Sequence, residues 1–353
     1  MSKTFSKKIL VSPLNWGLGH ASRCIPIIKA LINNNFTPIL ASDGDALTLL
    51  QKEFPTLKSY ELSGYNIKYS KGKNQKFQLL LSSPTIINAT LKEQRTVQKI
   101  HKEENLSGII SDNRFGVRLS EIPSVYITHQ INVLSGNTTT LTSKIHQQVI
   151  AKYDECWIPD TSDSQLSGRL SLTKNKKLNL KYIGAISRFE RETISKKYDL
   201  LIILSGVEPQ RSILEEILIA QLKGYTKKVL LVRGVFKNEN IPQITENITI
   251  TNYLLSHELE KVINESEVVL ARSGFSTILD LAKLGKKAFF IPTPGQCEQE
   301  YLAERMSELN IAPFAKQDNF RIETLDKISD FEGFNLQGIE AVQPVNEGLF
   351  NIF

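Results

Sequence analysis

Short apolar runs alternate with longer amphipathic runs in the first half of the chain. The apolar runs are too short for helices and end in polar residues, which is typical of strands buried on both faces of a parallel sheet. The longer runs repeat apolar residues at helical spacing. The predicted strands are Lys8–Ser12, Thr37–Ser42, Leu106–Ser111 and Ser124–Thr128, and the predicted helices are Ala21–Ile32 and Ala46–Glu53. Such βα units build an α/β sheet that binds ligands beyond the carboxyl ends of its strands.

The same alternation returns in the second half, after the polar residues 172–180 and the charged residues 188–199. The predicted strands there are Leu200–Leu204, Lys228–Arg233, Ile248–Thr251, Val268–Ala271 and Ala288–Pro292, and the predicted helices are Ser212–Leu222, Leu259–Glu265, Thr277–Lys283 and Gln299–Leu309. We therefore expect one α/β domain over residues 1–180 and a second over residues 181–330. Residues 331–353 have little periodicity, so we expect them either to dock back on the protein or to be partly disordered.

The composition excludes several classes of protein. A chain of 353 residues with 41% hydrophobic and 23% charged residues can bury two ordinary cores. No apolar run approaches the roughly 20 residues that a transmembrane helix needs. The cysteines Cys24, Cys156 and Cys297 are too scattered for a disulfide framework or a zinc cluster, which favours the cytoplasm. The net charge of +6 is compatible with anionic ligands, nucleic acid or an anionic membrane surface, and it does not choose among them. Because no nucleic-acid-binding motif is present, we expect no nucleic-acid partner.

The first candidate site follows the first predicted strand, in residues 15–23. Gly17 and Gly19 allow a sharp turn and a close approach to a ligand. The helix that follows offers free N–H groups suited to an anion. His20, at the start of that helix, can reach a ligand and titrate near neutrality, which suits a general base. The alternative is that His20 only packs beside the turn.

Two other ligands remain open for this region. A dinucleotide site needs Gly-x-Gly-x-x-Gly, and Ser22 occupies the third glycine position. Asp43 and Asp45 lie at a tolerable distance for a ribose-binding acid. The same pair resembles a metal-binding Asp-x-Asp, although Asp-Gly after a strand is also ordinary turn chemistry. We expect no metal ion and no cofactor.

Two further candidate sites follow strands of the second half. Ser205 and Gly206 leave backbone donors exposed for phosphate, and Arg211 adds a positive charge. In the other site, Ser273 and Gly274 lie between a strand and a helix. The polar side chains Asp280, Gln299 and Glu300 follow, and they are suited to hydrogen bonding with ribose and sugar hydroxyls. Helix caps and solvated faces explain each residue singly, but they explain poorly why all these groups follow successive strands.

These motifs resemble the family 28 glycosyltransferases. The resemblance spans residues 8–310 and rests on the segment GLGHASR and on residues 271–304, the more specific block. It implies a GT-B fold, in which two Rossmann-like doubly wound domains face a cleft and the second binds most of the donor. It also implies inversion at the anomeric carbon without a metal. The best-known member adds N-acetylglucosamine from UDP-GlcNAc to a lipid-linked acceptor in peptidoglycan synthesis.

The resemblance assigns roles position by position. His20 matches the presumed base, and Asp280 stands where the family has a ribose-binding Glu. Gln299 matches a ligand of the sugar, and Glu300 stands where the best-known member has a second Gln. The remaining donor residues are Ser205, Gly206, Ser273 and Gly274 around the diphosphate and the backbone near Leu254 around the base. Arg23 replaces an apolar or proline-containing continuation, and the glycine-rich entrance is shorter, so the sugar and acceptor of the best-known member do not transfer.

The expected function is transfer of a sugar from a UDP-linked donor to a hydroxyl of a lipid- or glycan-linked acceptor. Gly17, Gly19, Arg114 and His129 are expected on the acceptor side, with loop stabilisation equally open for Arg114 and His129. Lys68, Lys71, Lys73 and Lys76 precede the apolar run 77–81, which suits either peripheral contact with the inner face of a membrane or a solvated loop. A nucleotide-sugar epimerase of the same fold and a non-catalytic sensor are the alternatives.

Overall fold

The computed structural model describes residues 6–65, 84–236, 240–334 and 345–353. These residues form two compact units. The first contains the described residues up to Ile186 together with 345–353, and the second runs from Ser187 to residue 334. The lysines and the apolar run predicted for membrane contact, within 68–81, lie outside the described residues. No helix in the described part of the chain is both long and apolar enough to cross a bilayer.

The first unit is built on a parallel sheet in the order β3-β2-β1-β4-β5-β6-β7. Its strands are β1 (Lys8–Pro13), β2 (Thr37–Ser42), β3 (Ser59–Glu61), β4 (Gly108–Asp112), β5 (Ser124–Ile127), β6 (Glu155–Ile158) and β7 (Leu180–Tyr182). Its helices are α1 (Gly19–Asn33), α2 (Gly44–Glu53), α3 (Pro84–Glu104) and α4 (Thr139–Ile150), with short 3-10 turns at Gly136–Thr138 and Gly168–Leu170. This order is that of a Rossmann-like fold, whose strand order reverses beside β1.

The C-terminal segment packs on the first unit. It contains a 3-10 turn at Glu347–Ile352. The rings of Phe350 and Phe353 both pack against Trp157, with centroids 6.2 Å apart in each pair. Phe353 also lies against Gly108, where an added Cβ would come within 2.2 Å of its ring. The aromatic residues of this segment therefore complete the first core.

The second unit is built on a parallel sheet in the order β10-β9-β8-β11-β12. Its strands are β8 (Tyr198–Ile203), β9 (Val229–Val232), β10 (Ile248–Thr251), β11 (Ser266–Ala271) and β12 (Lys287–Phe290). Its helices are α5 (Gln210–Leu222), α6 (Ser256–Asn264), α7 (Phe275–Leu284) and α8 (Cys297–Glu308), followed by 3-10 turns at Gln317–Asn319 and Ile322–Asp330. Aliphatic residues of β8, β9 and α5 form its core with Phe289 and Phe320. Two parallel α/β sheets confirm the predicted fold class.

The boundaries between the units differ from the predicted ones. The first unit extends past residue 180 because β7 pairs with β6, through Trp157 and Lys181. The predicted tail also divides. Residues up to 334 stay with the second unit, where the Phe334 N–H donates to the Lys286 carbonyl at 3.1 Å, whereas residues 345–353 belong to the first unit.

Candidate functional site

The carboxyl ends of β1 and β4 bring His20 and Asp112 together. The two strands are parallel neighbours, and Pro13 is in register with Asp112. After β1 the chain turns through Gly17, whose φ of +74° favours glycine, and enters α1 at Gly19. His20 is the second residue of this helix, and its side chain remains 15% exposed. The turn therefore presents the imidazole beyond the edge of the sheet, as the sequence predicts.

The His20 imidazole contacts the Asp112 carboxylate, with 2.7 Å between Nδ1 and Oδ1. A carboxylate can only accept, so the imidazole carries its proton on Nδ1 and leaves Nε2 as an acceptor. Asp112 has no exposed surface. Burial alone would raise its pKa, but the charges and hydrogen bonds of Arg23 and His20 hold the pKa of Asp112 well below its usual range. The carboxylate is therefore a fixed negative charge behind the imidazole.

Arg23 is the second partner of Asp112. Its Nε donates to Oδ2 at 2.5 Å and its Nη2 donates to Oδ1, so the pairing is bidentate. Arg23 Nη2 also lies 2.8 Å from Nδ1 of His20, but an Nδ1 that donates to Asp112 cannot accept from Arg23. Arg23 Nη1 lies 2.9 Å from Nδ1 of His129. Because Nη1 can only donate, this contact places the proton of a neutral His129 on Nε2. Arg23 thus bonds His129 directly and is linked to His20 through the Asp112 carboxylate.

Arg114 is enclosed within the first unit. Its guanidinium pairs with Glu93 at 2.7 Å and with Asp43 at 2.6 Å, and it donates to the Ser63 carbonyl at 2.9 Å. It has no exposed surface. Of the two roles open for Arg114, this packing favours stabilisation of the loops over contact with an acceptor.

The Asp43 carboxylate, proposed above as a metal or ribose ligand, is likewise engaged. Besides Arg114, it accepts a hydrogen bond of 3.1 Å from Asn15. Asp45 lies in the first turn of α2. Within the described ranges, no group of three or more His, Cys, Asp or Glu side chains is arranged to hold a metal ion. The ion pair with Arg114 gives Asp43 a structural partner instead.

In the second unit, three loops that follow β8, β11 and β12 come together. Gly206 has a φ of +101°, and a Cβ added there would lie 4.0 Å from the Thr293 hydroxyl. The Thr293 N–H donates to Oε1 of Gln299 at 2.8 Å, and the Ser273 hydroxyl donates to the Gln299 carbonyl at 2.7 Å. The loops predicted to bind a diphosphate and a sugar therefore meet at one edge of this sheet.

Some of the remaining residues predicted to bind the sugar donor are engaged in contacts with other residues of the protein. Glu300 accepts a hydrogen bond of 3.1 Å from the Gly295 N–H, so it holds the loop before α8. Arg211 pairs with Glu208 at 2.6 Å and with Glu215, and it is buried. Leu254 is half-buried and lies two residues before the start of α6. Gly274 is the N-cap of α7, which has no acidic residue in its first turn, so this helix end remains suited to an anion.

The Asp280 carboxylate has two partners near the start of the second unit. It accepts a hydrogen bond from Ser187, and its Oδ2 lies 3.7 Å from Nε of Arg188. Burial raises the pKa of Asp280, while Arg188 and the Ser187 hydroxyl oppose that rise. Sequence reasoning missed both partners, because Ser187 directly precedes and Arg188 begins the charged residues 188–199, which the sequence analysis assigns to no site.

Sequence reasoning also gave no role to the pairing of Arg23 with Asp112. The available signal was the position of Asp112 at the end of an apolar strand, together with a basic residue one helical turn after His20. Only the adjacency of β1 and β4 shows that these residues meet.

Comparisons with known proteins cover both units. The glycosyltransferase family 28 C-terminal domain matches residues 205–331. The UDP-N-acetylglucosamine--N-acetylmuramyl-(pentapeptide) pyrophosphoryl-undecaprenol N-acetylglucosamine transferase of Haemophilus ducreyi is 21% identical, over 91% of this chain and 88% of its own. An uncharacterized glycosyltransferase of Methanosarcina mazei is 25% identical, over 85% of this chain and 83% of its own.

The fold is similar to that of solved glycosyltransferases. The spinosyn rhamnosyltransferase SpnG complexed with thymidine diphosphate matches with a TM-score of 0.62 at 13% identity, over 93% of both chains. These matches agree with the resemblance seen in the sequence. The domain match lies in the second unit, and the two relatives cover 91% and 85% of the chain. The chain is a glycosyltransferase of GT-B fold whose residues 205–331 match the C-terminal domain of family 28.

Proposed function

We propose that this enzyme transfers a sugar from a nucleoside-diphosphate sugar to an acceptor hydroxyl, with inversion and without a metal ion. The contact between His20 Nδ1 and Asp112 carries the proposal, because it leaves Nε2 of a partly exposed imidazole able to take a proton. A base held in one tautomer by a buried carboxylate is suited to activating a hydroxyl.

The proposed reaction is a single displacement with His20 as the base. Nε2 of His20 takes the proton of the acceptor hydroxyl, and the oxygen forms a bond to the anomeric carbon. The bond between that carbon and the diphosphate oxygen breaks, and the nucleoside diphosphate leaves with the electron pair. A single displacement of this kind inverts the anomeric carbon. Asp112 stabilises the imidazolium that forms.

The second unit supplies the donor site in this proposal. The loops at Ser205, Ser273 and Thr293 precede the helices α5, α7 and α8. The N-termini of α5 and α7 favour negative charge, whereas Glu298 and Glu300 occupy the first turn of α8. Neither α5 nor α7 has an acidic residue in its first turn. These groups can balance the charge of the leaving diphosphate, which supports transfer without a metal ion. Preorganised donors of this kind commonly contribute the largest single share of rate enhancement.

The donor class is proposed to be a UDP-sugar similar to UDP-GlcNAc, and the acceptor a lipid- or glycan-linked hydroxyl. The name of the Haemophilus ducreyi relative includes UDP-N-acetylglucosamine and a pyrophosphoryl-undecaprenol acceptor, which supports both choices. Work at the cytoplasmic face of a membrane is proposed on the same basis. Gln299 and Glu300 hold the loop against which the sugar would lie.

Product analysis on a panel of nucleotide sugars tests the proposal. Purified protein is incubated with each UDP- and dTDP-sugar, with and without lipid-linked acceptors, and the products are identified by mass spectrometry. We expect nucleoside diphosphate and a glycosylated acceptor in equal amounts, with inverted configuration by NMR. Conversion of the donor into its epimer without an acceptor would instead identify an epimerase, and binding of the donor with no product over the whole panel would identify a sensor.

A further inference from the structure

Arg272 is a buried arginine without an acidic partner in the described part of the chain. It directly follows β11, and 1% of its surface is exposed. Its guanidinium donates only to neutral oxygens, which are the carbonyls of Ile291 and Pro292 at 3.1 Å, the carbonyl of Gln210 at 2.8 Å and Oε1 of Gln317 at 2.6 Å. Its Nε is buried and has no hydrogen-bond partner.

Other buried arginines of this protein are paired differently. Arg23 is matched by Asp112, Arg114 by Glu93 and Asp43, and Arg233 by Glu215. A buried charge without a counter-ion is strongly destabilising. Burial lowers the pKa of Arg272 to about 9, which is the expected direction for a desolvated cation. Arg272 therefore carries a charge that the described residues leave unbalanced.

The partners of Arg272 connect the three loops of the proposed donor site. Gln210 begins α5 after the loop of Ser205, and Ile291 and Pro292 begin the loop that leads to α8. Arg272 itself precedes Ser273 and α7. The strands β8, β11 and β12 that end in these loops are adjacent in the sheet. One guanidinium thus fixes the backbone of all three loops beside three helix N-termini.

We propose that Arg272 is a positioning residue that holds these three loops, and that its unpaired charge is balanced at longer range by the diphosphate of the bound donor, without contact with phosphate. This inference rests on the proposed function. The Nη atoms of Arg272 already donate to carbonyl and amide oxygens, and its Nε is buried. The guanidinium therefore has no N–H left to donate to a ligand in this arrangement. In a weakly polarisable interior the charge still acts over distances longer than a hydrogen bond.

The test is the dependence of affinity on ligand charge, measured by calorimetry on the full chain with uridine, UMP and UDP. Arg272→Gln removes the charge, whereas Arg272→Lys keeps it and loses most of the bonds to the loops. Arg321→Gln is the matched control, since Arg321 is an exposed arginine of the same unit whose Nη1 donates to the Phe320 carbonyl. We expect Arg272→Gln to lower the affinity for UDP about tenfold and that for UMP about threefold, and to change the affinity for uridine by less than about twofold.

The Arg272→Lys variant separates the effect of the charge from the effect of the hydrogen bonds to the loops. We expect the ratio of UDP to uridine affinity in Arg272→Lys to stay within about threefold of the native ratio, and that variant serves alone if Arg272→Gln does not fold. The proposal is overturned if Arg272→Gln weakens the binding of uridine and UDP equally, or if the ratio of UDP to uridine affinity falls well below that range in folded Arg272→Lys. Either result would show that Arg272 only holds the loops in place. Failure of the native protein to bind UDP and dTDP would overturn the proposed function itself, and this inference with it.

Discussion

The Ser187 hydroxyl donates a hydrogen bond of 2.6 Å to Oδ1 of Asp280. The carboxylate that matches the family's ribose ligand is therefore already engaged by a residue at the start of the second unit. A carboxylate has about four acceptor positions, so one bond from Ser187 leaves Asp280 able to accept ribose hydroxyls as well. Its side chain remains 14% exposed, which is enough for a hydroxyl to approach.

Asp280→Ala tests the ribose role. We expect UDP binding to weaken by about 1–3 kcal/mol, as for the loss of hydrogen bonds to a charged acceptor. Ser187→Ala is the matched control, because it removes the internal bond and keeps the carboxylate. It should change UDP affinity much less. Both variants are measured by calorimetry with UDP and with pyrophosphate, which lacks ribose. An unchanged UDP affinity in Asp280→Ala, or an equal loss for pyrophosphate, would remove Asp280 from the ribose site.

Arg114→Gln distinguishes loop stabilisation from acceptor binding. Removing the guanidinium leaves the buried carboxylate of Glu93 without its ion pair, and breaking a buried pair destabilises by about 3–5 kcal/mol. We therefore expect a lower free energy of unfolding in urea, while the KM for the acceptor of the folded variant is unchanged. A raised acceptor KM at normal stability would return Arg114 to the acceptor site.

Asp112→Asn should make stability less dependent on pH. Because the folded pKa of Asp112 lies below its unfolded value, its ionised form stabilises the protein above about pH 4, and this contribution is lost as the pH falls toward the folded pKa. At pH 7 we expect the variant to be less stable by about 3–5 kcal/mol, since Arg23 loses its counter-ion. The difference should shrink as the pH falls below about 4. Urea unfolding of both proteins between pH 7 and pH 3 measures it, and a difference independent of pH would contradict the account.

The predictable part of the fold is the part with strong periodicity. The strands and helices around β1, β2 and α1 were predicted to within a few residues, because apolar runs and turns mark them clearly. β6 and β7 were missed, since four- and three-residue strands carry little pattern and Glu155 interrupts the first. The sequence analysis also misses the helix α3, because Pro84–Glu104 is mostly polar and contains few apolar residues.

The candidate site likewise divides into residues that local sequence reveals and partners, distant in sequence, that it does not reveal. The glycine turns and His20 follow a strand and were found from local sequence. The pairing of Asp112 with Arg23 joins residues 89 positions apart, and only the parallel pairing of β1 with β4 reveals it. The Ser187 contact with Asp280 spans 93 positions. Long-range polar partners of this kind leave no periodic signal in one sequence.

Metal independence is tested with the same donor measurements. Asp43 is committed to Arg114 and Asn15, so we expect UDP affinity in excess EDTA to stay within about twofold of its value with Mg²⁺. Asp45→Asn should leave both values unchanged. A strict requirement for Mg²⁺ or Mn²⁺, lost in Asp45→Asn, would revive the metal site at Asp43 and Asp45.

The central claim is that His20 is the general base, and one paired measurement on His20→Ala tests it most directly. The rate of transfer to the acceptor identified by product analysis and the calorimetric affinity for UDP are measured on the same preparation. We expect the rate to fall by about 10²–10⁴-fold, the usual contribution of a general base, with UDP affinity nearly unchanged, because His20 lies in the first unit and the proposed donor loops in the second. A near-normal rate, or a joint loss of UDP binding and thermal stability, would contradict the account.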